Sequence, residues 1–208
     1  MKTNSGSIFR CSFCSSINMK LIMDFGKVAL AGAFIKNKEF NNEKKYQMRL
    51  CFCKECFAVQ IVDIIDPDIL FKDYFYFSSS IKTLSDHFVN YAKEVTKRFL
   101  NRKESIVLEF GCNDGVLLRP LADQGIKKVI GVDPAKNIIS TINDKRITII
   151  NDYFTEKVSK EVVTKYGSVD LIMANNVFAH VPDLKSFALG VKNILDKQIM
   201  YQIFHYNF

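Results

Sequence analysis

Two Cys-x-x-Cys pairs, Cys11-x-x-Cys14 and Cys53-x-x-Cys56, stand 38 residues apart in the first part of this 208-residue chain and constrain its fold more than any other feature. A pair at this spacing turns tightly enough for both sulfurs to meet one ion while backbone N–H groups support their charge. Two pairs supply the four soft thiolates that zinc takes as a tetrahedron. The alternatives are disulfides, which a reducing compartment disfavours, and buried free thiols, which rarely fall into paired knuckles. A closed four-thiolate site leaves no open coordination position, so the metal would hold together a small ribbon-like domain over residues 1–60. Cys51 is the spare, in an alternating segment, Tyr46 to Cys53, that reads as a strand entering the second knuckle, and its expected role is packing.

Charge is concentrated in the same region. Residues 1–60 carry 10 basic and 4 acidic groups, whereas residues 105–208 carry 12 and 11, so most of the net +7 belongs to the cysteine module and points to an anionic partner there. At 48% hydrophobic and 25% charged, the composition excludes a disordered or collagen-like chain. The first residues lack the apolar core of a signal peptide, and no apolar run approaches the ~18 residues of a membrane span. A cytoplasmic location with no membrane partner is therefore expected.

Residues 61–104 read as a connecting segment. Pro67 breaks an apolar run, Tyr74-Phe-Tyr76-Phe-Ser-Ser-Ser80 reads as an aromatic loop, and an amphipathic helix runs from about Ser80 to Arg102. His87 lies beside its apolar stripe and is read as a packing or surface histidine.

From Ser105 the sequence alternates strands with helices, the pattern of a parallel sheet with helical crossovers. Strands are expected at 106–110, 128–133, 147–150, 169–174 and 199–204. Ligands in such a sheet bind at the carboxyl ends of the strands. At those ends stand Gly111 and Gly115 in a tight turn, Asp133, Asp152, Asn175, Asn176 and His180. Asp133 lies 22 residues beyond Gly111, close to the ~20 expected of a carboxylate that accepts ribose hydroxyls. The turn reads G-x-N-x-G and lacks the G-x-G-x-x-G spacing that seats a pyrophosphate, so S-adenosylmethionine fits better than a dinucleotide. Glu109 and Asp114 add negative charge suited to a sulfonium and an ammonium. Asp152 is open between a cofactor contact and a helix-initiating residue. No recognition helix follows the knuckles, which argues against a nucleic-acid partner.

Taken together, these motifs resemble the zinc-containing, S-adenosylmethionine-dependent C-methyltransferases acting on nucleotide-linked deoxysugars. The resemblance runs through the two knuckles with Val59-Gln60, Phe71 to Ser80, His87-Phe88, Glu109-Phe-Gly-Cys-Asn-Asp-Gly115, Gly131-Val-Asp-Pro134 and Ala174 to Asp183. It implies a Rossmann-like class I methyltransferase sheet of about five strands over 105–208, preceded by the zinc-ribbon-like domain. It implies Cys11, Cys14, Cys53 and Cys56 as zinc ligands, and Glu109, Gly111, Asn113, Gly115, Asp133, Asp152, Asn175 and Asn176 at the cofactor. It also implies transfer of a methyl group to a sugar carbon beside a keto group through an enediolate, with Tyr74, Tyr76 and His180 facing the sugar. The histidine could act as acid, base or enolate-stabilising donor, or serve only as a helix cap or packing residue. Phe57 departs from the family, which usually has glycine there. The family also continues with further strands, a His-Glu-His segment and a second C-terminal domain, none matched here. A C-terminally truncated member of doubtful activity, a non-catalytic binding remnant, or one part of a split enzyme with a complementing C-terminal chain is the expectation.

Overall fold

The computed structural model describes residues 9–101 and 103–195, with the backbone of 201–204. Two compact units emerge, residues 1–70 with 182–184, and residues 71–181 with 185–208.

The first unit is built on a three-stranded antiparallel sheet in the order β1-β2-β3, from β1 (Met19–Ala29), β2 (Lys45–Cys53) and β3 (Val59–Ile61). β1 and β2 pair along most of their length, with register shifts between Leu21 and Met23 and between Asp24 and Lys27, and Gly26 takes a left-handed φ of 72° inside the second shift. Bulges of this kind let a long ribbon bend without losing its ladder. Arg49 on β2 pairs in a two-pronged contact with Asp63 and stacks on Phe9, 4.6 Å from the ring centroid. One charge of the basic module is thus neutralised within the module. A short helix, α1 (Pro67–Phe71), begins at the proline, whose fixed φ suits a first helical turn.

The segment read as a connector, 61–104, is not a body of its own: it is divided at Leu70/Phe71, and most of it belongs to the second unit. The reason lies in the next helix, α2 (Lys82–Phe99). Its stripe of Phe88, Tyr91, Ala92 and Val95 is buried in the same core as Leu117, Leu118 and Leu121 of the glycine turn and the helix that follows it.

The second unit holds a five-stranded parallel sheet in the order β6-β5-β4-β7-β8: β4 (Ile106–Phe110), β5 (Lys128–Val132), β6 (Ile147–Ile150), β7 (Leu171–Asn175) and β8 (Tyr201–Phe204). The crossovers carry α3 (Leu118–Asp123), α4 (Lys136–Ile139), α5 (Glu156–Tyr166) and α6 (Leu184–Ile194). Buried Val107, Leu108, Val129, Ile130, Leu171, Ile172 and Met173 make the central strands apolar on both faces, as a sheet covered by helices on both sides requires. The five parallel strands match the architecture expected from the sequence. Ile199 and Met200, included in the expected fifth strand, lie outside the described residues, as does His205. Strand order reverses between β4 and β7, and a sheet of this class opens its ligand crevice at such a switch point.

Candidate functional site

The four knuckle sulfurs lie within 4.8 Å of one another, with Cys11 to Cys56 and Cys14 to Cys53 each at 3.5 Å. A zinc ion with bonds of about 2.3 Å spaces tetrahedral sulfurs by about 3.8 Å, so the donor set fits zinc. Both knuckles close in the same way. The carbonyls of Cys11 and Cys53 accept the N–H four residues on, at 2.9 Å in each case, and their own N–H groups donate to Ser16 and Ala58. The residue after each second cysteine takes a left-handed backbone, Ser15 at φ 63° and Phe57 at φ 62°. A left-handed backbone favours glycine, and this chain places a phenylalanine at position 57 under strain. Gln60 supports the cluster from outside, accepting the Ser12 N–H at 2.9 Å and donating to the Cys11 sulfur at 3.1 Å. Burial works against a Cys11 thiolate. Donors at Cys14, Gln60 and Phe13 outweigh it and bring the thiol down to about 6. Cys56 is pushed up to about 12, because burial and the neighbouring sulfurs exceed the effect of the Ala58 N–H. A bound cation would favour the thiolate form of both. Cys51 is fully buried outside the cluster, as packing requires.

In the second unit, the glycine turn after β4 is bent by left-handed residues, Gly111 at φ 66°, Asn113 at φ 49° and Gly115 at φ 77°. A Cβ on Gly111 would stand 2.3 Å from Val177 Cγ2, so the loop after β7 closes against the turn only because position 111 has no side chain. Asp133, at the end of β5, accepts the N–H of Asn113 at 2.9 Å and that of Ala135 at 2.8 Å. Its carboxylate is thereby aimed beside the turn. Burial raises its pKa against those two N–H donors.

Glu109, the last residue but one of strand β4, is 3% exposed. One of its oxygens accepts the Asn175 amide at 3.0 Å from the end of β7. Burial, helped by the charges of Asp133 and Asp114 and opposed by that amide, pushes the carboxyl up to about 8. Among the described residues, the other Glu109 oxygen, Asp114 Oδ1 and Asn175 Oδ1 are buried with no hydrogen-bond partner. Three buried acceptor atoms left this way at the ends of β4 and β7 leave room for donors from a ligand or ordered water, because an unmade buried hydrogen bond costs about 1–3 kcal/mol.

Tyr74 and Tyr76 neighbour one another, and His180 is linked to them through the ring of Phe71. His180 is exposed on the short 3-10 turn Phe178–His180, with its ring 6.3 Å from Phe71. Phe71 lies 6.1 Å from Tyr74, which lies 6.5 Å from Tyr76. Burial raises the Tyr74 phenol, with the charges of Tyr76 and Asp133 adding to the effect.

Other expected residues have different surroundings. The Asn113 side chain is spent on the aromatic segment, accepting the Ser78 N–H at 3.0 Å and donating to the Tyr76 carbonyl at 2.9 Å. Asp152 is exposed and accepts its neighbour's N–H at 2.7 Å, while α5 is capped by Thr155, which accepts from Val158. Helix initiation is therefore not the role of Asp152. Asn176 is exposed at a left-handed φ of 55°. Two asparagines escaped the sequence reading. Asn151 donates to the carbonyls of Asp133 and Pro134 at 2.9 and 3.0 Å, and Asn137 pairs with the Tyr74 main chain. The position of Asn151 directly after β6 is the signal the sequence offered for it, and Asn137, on α4, carried none.

Comparison with known proteins agrees with both halves. A family described as "Putative zinc binding domain" matches residues 11–71, and one described as "Methyltransferase domain" matches residues 85–198. The C-methyltransferase NovU of Streptomyces niveus is 29% identical over 189 residues, covering 90% of this chain and 45% of the relative. The peramine synthetase PpzA of Metarhizium rileyi is 28% identical over 108 residues, 47% of this chain and 4% of the relative. The chain thus spans less than half the length of these curated relatives. Among solved structures, the plantazolicin methyltransferase BpumL, in complex with a desmethylPZN analog and SAH, aligns at 17% identity and TM-score 0.43 over 57% of this chain and 44% of that one. More than half of the sequence falls under the second family, and the chain therefore belongs to the methyltransferase domain family, with a zinc-binding module ahead of that domain.

Proposed function

We propose that the second unit binds S-adenosylmethionine at the ends of β4, β5 and β7 and serves a C-methyltransferase whose acceptor is a nucleotide-linked ketosugar. The observation that carries the cofactor assignment is the set of buried acceptors around Glu109 left without partners. Their chemistry suits a ligand with an ammonium and a sulfonium and is unfavourable to phosphates. The cofactor supplies an electrophilic methyl group. Glu109, Asp114 and Asn175 receive its positive end, and Asp133 accepts hydroxyl donors of its ribose. Gly111 and Gly115 let the main chain come close to it, and Asn151 steadies the main chain at Asp133.

The acceptor would lie against the row of Tyr74, Tyr76 and His180. An imidazole holds or releases a proton near neutral pH, and the exposed His180 ring is free to meet a sugar oxygen or the proton on the adjacent carbon. The tyrosine hydroxyls can donate to a developing enolate oxygen. C-methylation is supported by the NovU relationship, and the sugar by the resemblance of the motifs. The closed thiolate cluster offers no position for substrate and acts on folding.

The test is transfer of a labelled methyl group from S-adenosylmethionine to a thymidine-diphosphate-linked 4-keto-deoxysugar. Label on the sugar carbon beside the keto group is the expected result. Binding without transfer would assign this chain the cofactor-holding part of the reaction alone. Binding of NAD or of a DNA duplex in preference to S-adenosylmethionine would replace the reading.

A further inference from the structure

The segment from Phe71 to Ile81 carries both tyrosines and has little regular structure of its own beyond the 3-10 turn Ser78–Ser80. Such a segment keeps one conformation only if its main-chain polar groups find partners. Side chains from the glycine turn after β4 and from α4 supply them. Asn137 accepts the Tyr74 N–H at 3.3 Å and donates to the Tyr74 carbonyl at 2.7 Å. Asn113 holds Ser78 and Tyr76 in the same two-handed manner, and Asp114 accepts the Ser79 N–H at 3.1 Å. Asn137 and Tyr74 are 63 residues apart, so their pairing belongs to the tertiary fold and has no counterpart in local turn chemistry.

We propose that Asn137 is a positioning residue that fixes Tyr74 beside the nucleoside site by pairing with its main chain, and that Asn113 supports Tyr76 by donating to its carbonyl while accepting the Ser78 N–H. This rests on the reading that the tyrosines face the methyl acceptor. A carboxamide accepts with its oxygen and donates with its nitrogen, so the Asn137 side chain can hold both the N–H and the C=O of one residue and fix its position and tilt. Reacting groups on loops need such support, because small displacements cost large factors in rate. Asn113 adds a link to the cofactor: its own N–H lies on the Asp133 carboxylate that would meet the ribose. The carboxylate, the turn and the Tyr76 main chain therefore form one connected set.

The experiment is amide hydrogen exchange on the full chain, with and without S-adenosylhomocysteine, combined with a carbon-13 titration of the Tyr74 ring assigned through Tyr74→Phe. In Asn137→Ala the Tyr74 amide should exchange at least tenfold faster, with β4 and β5 amides unchanged. The Tyr74 phenol should move toward its ordinary value, and S-adenosylhomocysteine affinity should stay within about twofold. Asn137→Asp keeps the acceptor and should restore most of the Tyr74 protection. An unchanged Tyr74 amide or an unchanged ring titration would overturn the proposal. So would faster exchange spread over β4 and β5, which would mark a folding residue. Failure of the unaltered chain to bind S-adenosylhomocysteine would refute the cofactor reading and leave the exchange comparison decisive for the positioning claim.

Discussion

Replacing Glu109 with glutamine tests the physical basis of the site without a substrate. The carboxyl is pushed from an ordinary value of 4.5 to about 8 by burial first and by the charges of Asp133 and Asp114 second, against the Asn175 amide. Below the lower value both folded and unfolded chains hold the proton. Between the two, only the folded chain keeps it, so stability falls as pH rises, by about 1.4 kcal/mol per pH unit. The loss should reach about 3 kcal/mol at pH 7 and level off near 5 kcal/mol above pH 8. Glu109→Gln keeps the shape and the acceptor for Asn175, and cannot ionise. Urea unfolding of the second unit, followed by circular dichroism, should show equal stability for variant and parent near pH 4.5 and an advantage of about 3 kcal/mol for the variant at pH 7. Affinity should behave inversely. If the ionised carboxylate receives a positive ligand, S-adenosylhomocysteine should bind the parent more tightly from pH 6 to 8, by up to about tenfold per unit, and the variant weakly with a flat profile. Parallel stability curves for the two proteins across this range would refute the reasoning.

Gly111→Ala must move Val177 and hold alanine at φ 66°, and should cost about 2–4 kcal/mol by urea unfolding. Phe57→Gly relieves a left-handed phenylalanine that is 72% exposed and should stabilise the first unit by about 1 kcal/mol, seen as greater resistance to a zinc chelator. Removing zinc, or Cys53→Ser, should unfold the first unit, since such sites contribute about 10 kcal/mol or more to folding, while S-adenosylhomocysteine binding by the second unit persists.

Much of this architecture is legible in the sequence because its signals are local. The knuckle spacing gathers the four thiols, and the run of strand, glycine turn, strand and aspartate fixes where Asp133 stands. What was not legible depends on partners distant in sequence. Asn113 reads as a turn residue beside a ligand, yet its side chain holds a segment more than thirty positions earlier. Asn137 sits where a helix begins and carries no motif, and only the fold brings it to Tyr74. The helix of the middle segment has the same amphipathic pattern whether it bridges two bodies or completes one. The choice is made by the leucines of the glycine turn and α3 on which it packs.

The central claim is that Asp133 and the Glu109 acceptors together hold an adenosyl amino acid. Titration calorimetry of the whole chain with S-adenosylhomocysteine tests it most directly, comparing the parent with Asp133→Asn and Glu109→Gln at pH 7.5. One-to-one binding in the parent, weakened at least tenfold in each variant, is the predicted result. No binding in the parent, or equal binding in all three, would contradict the account.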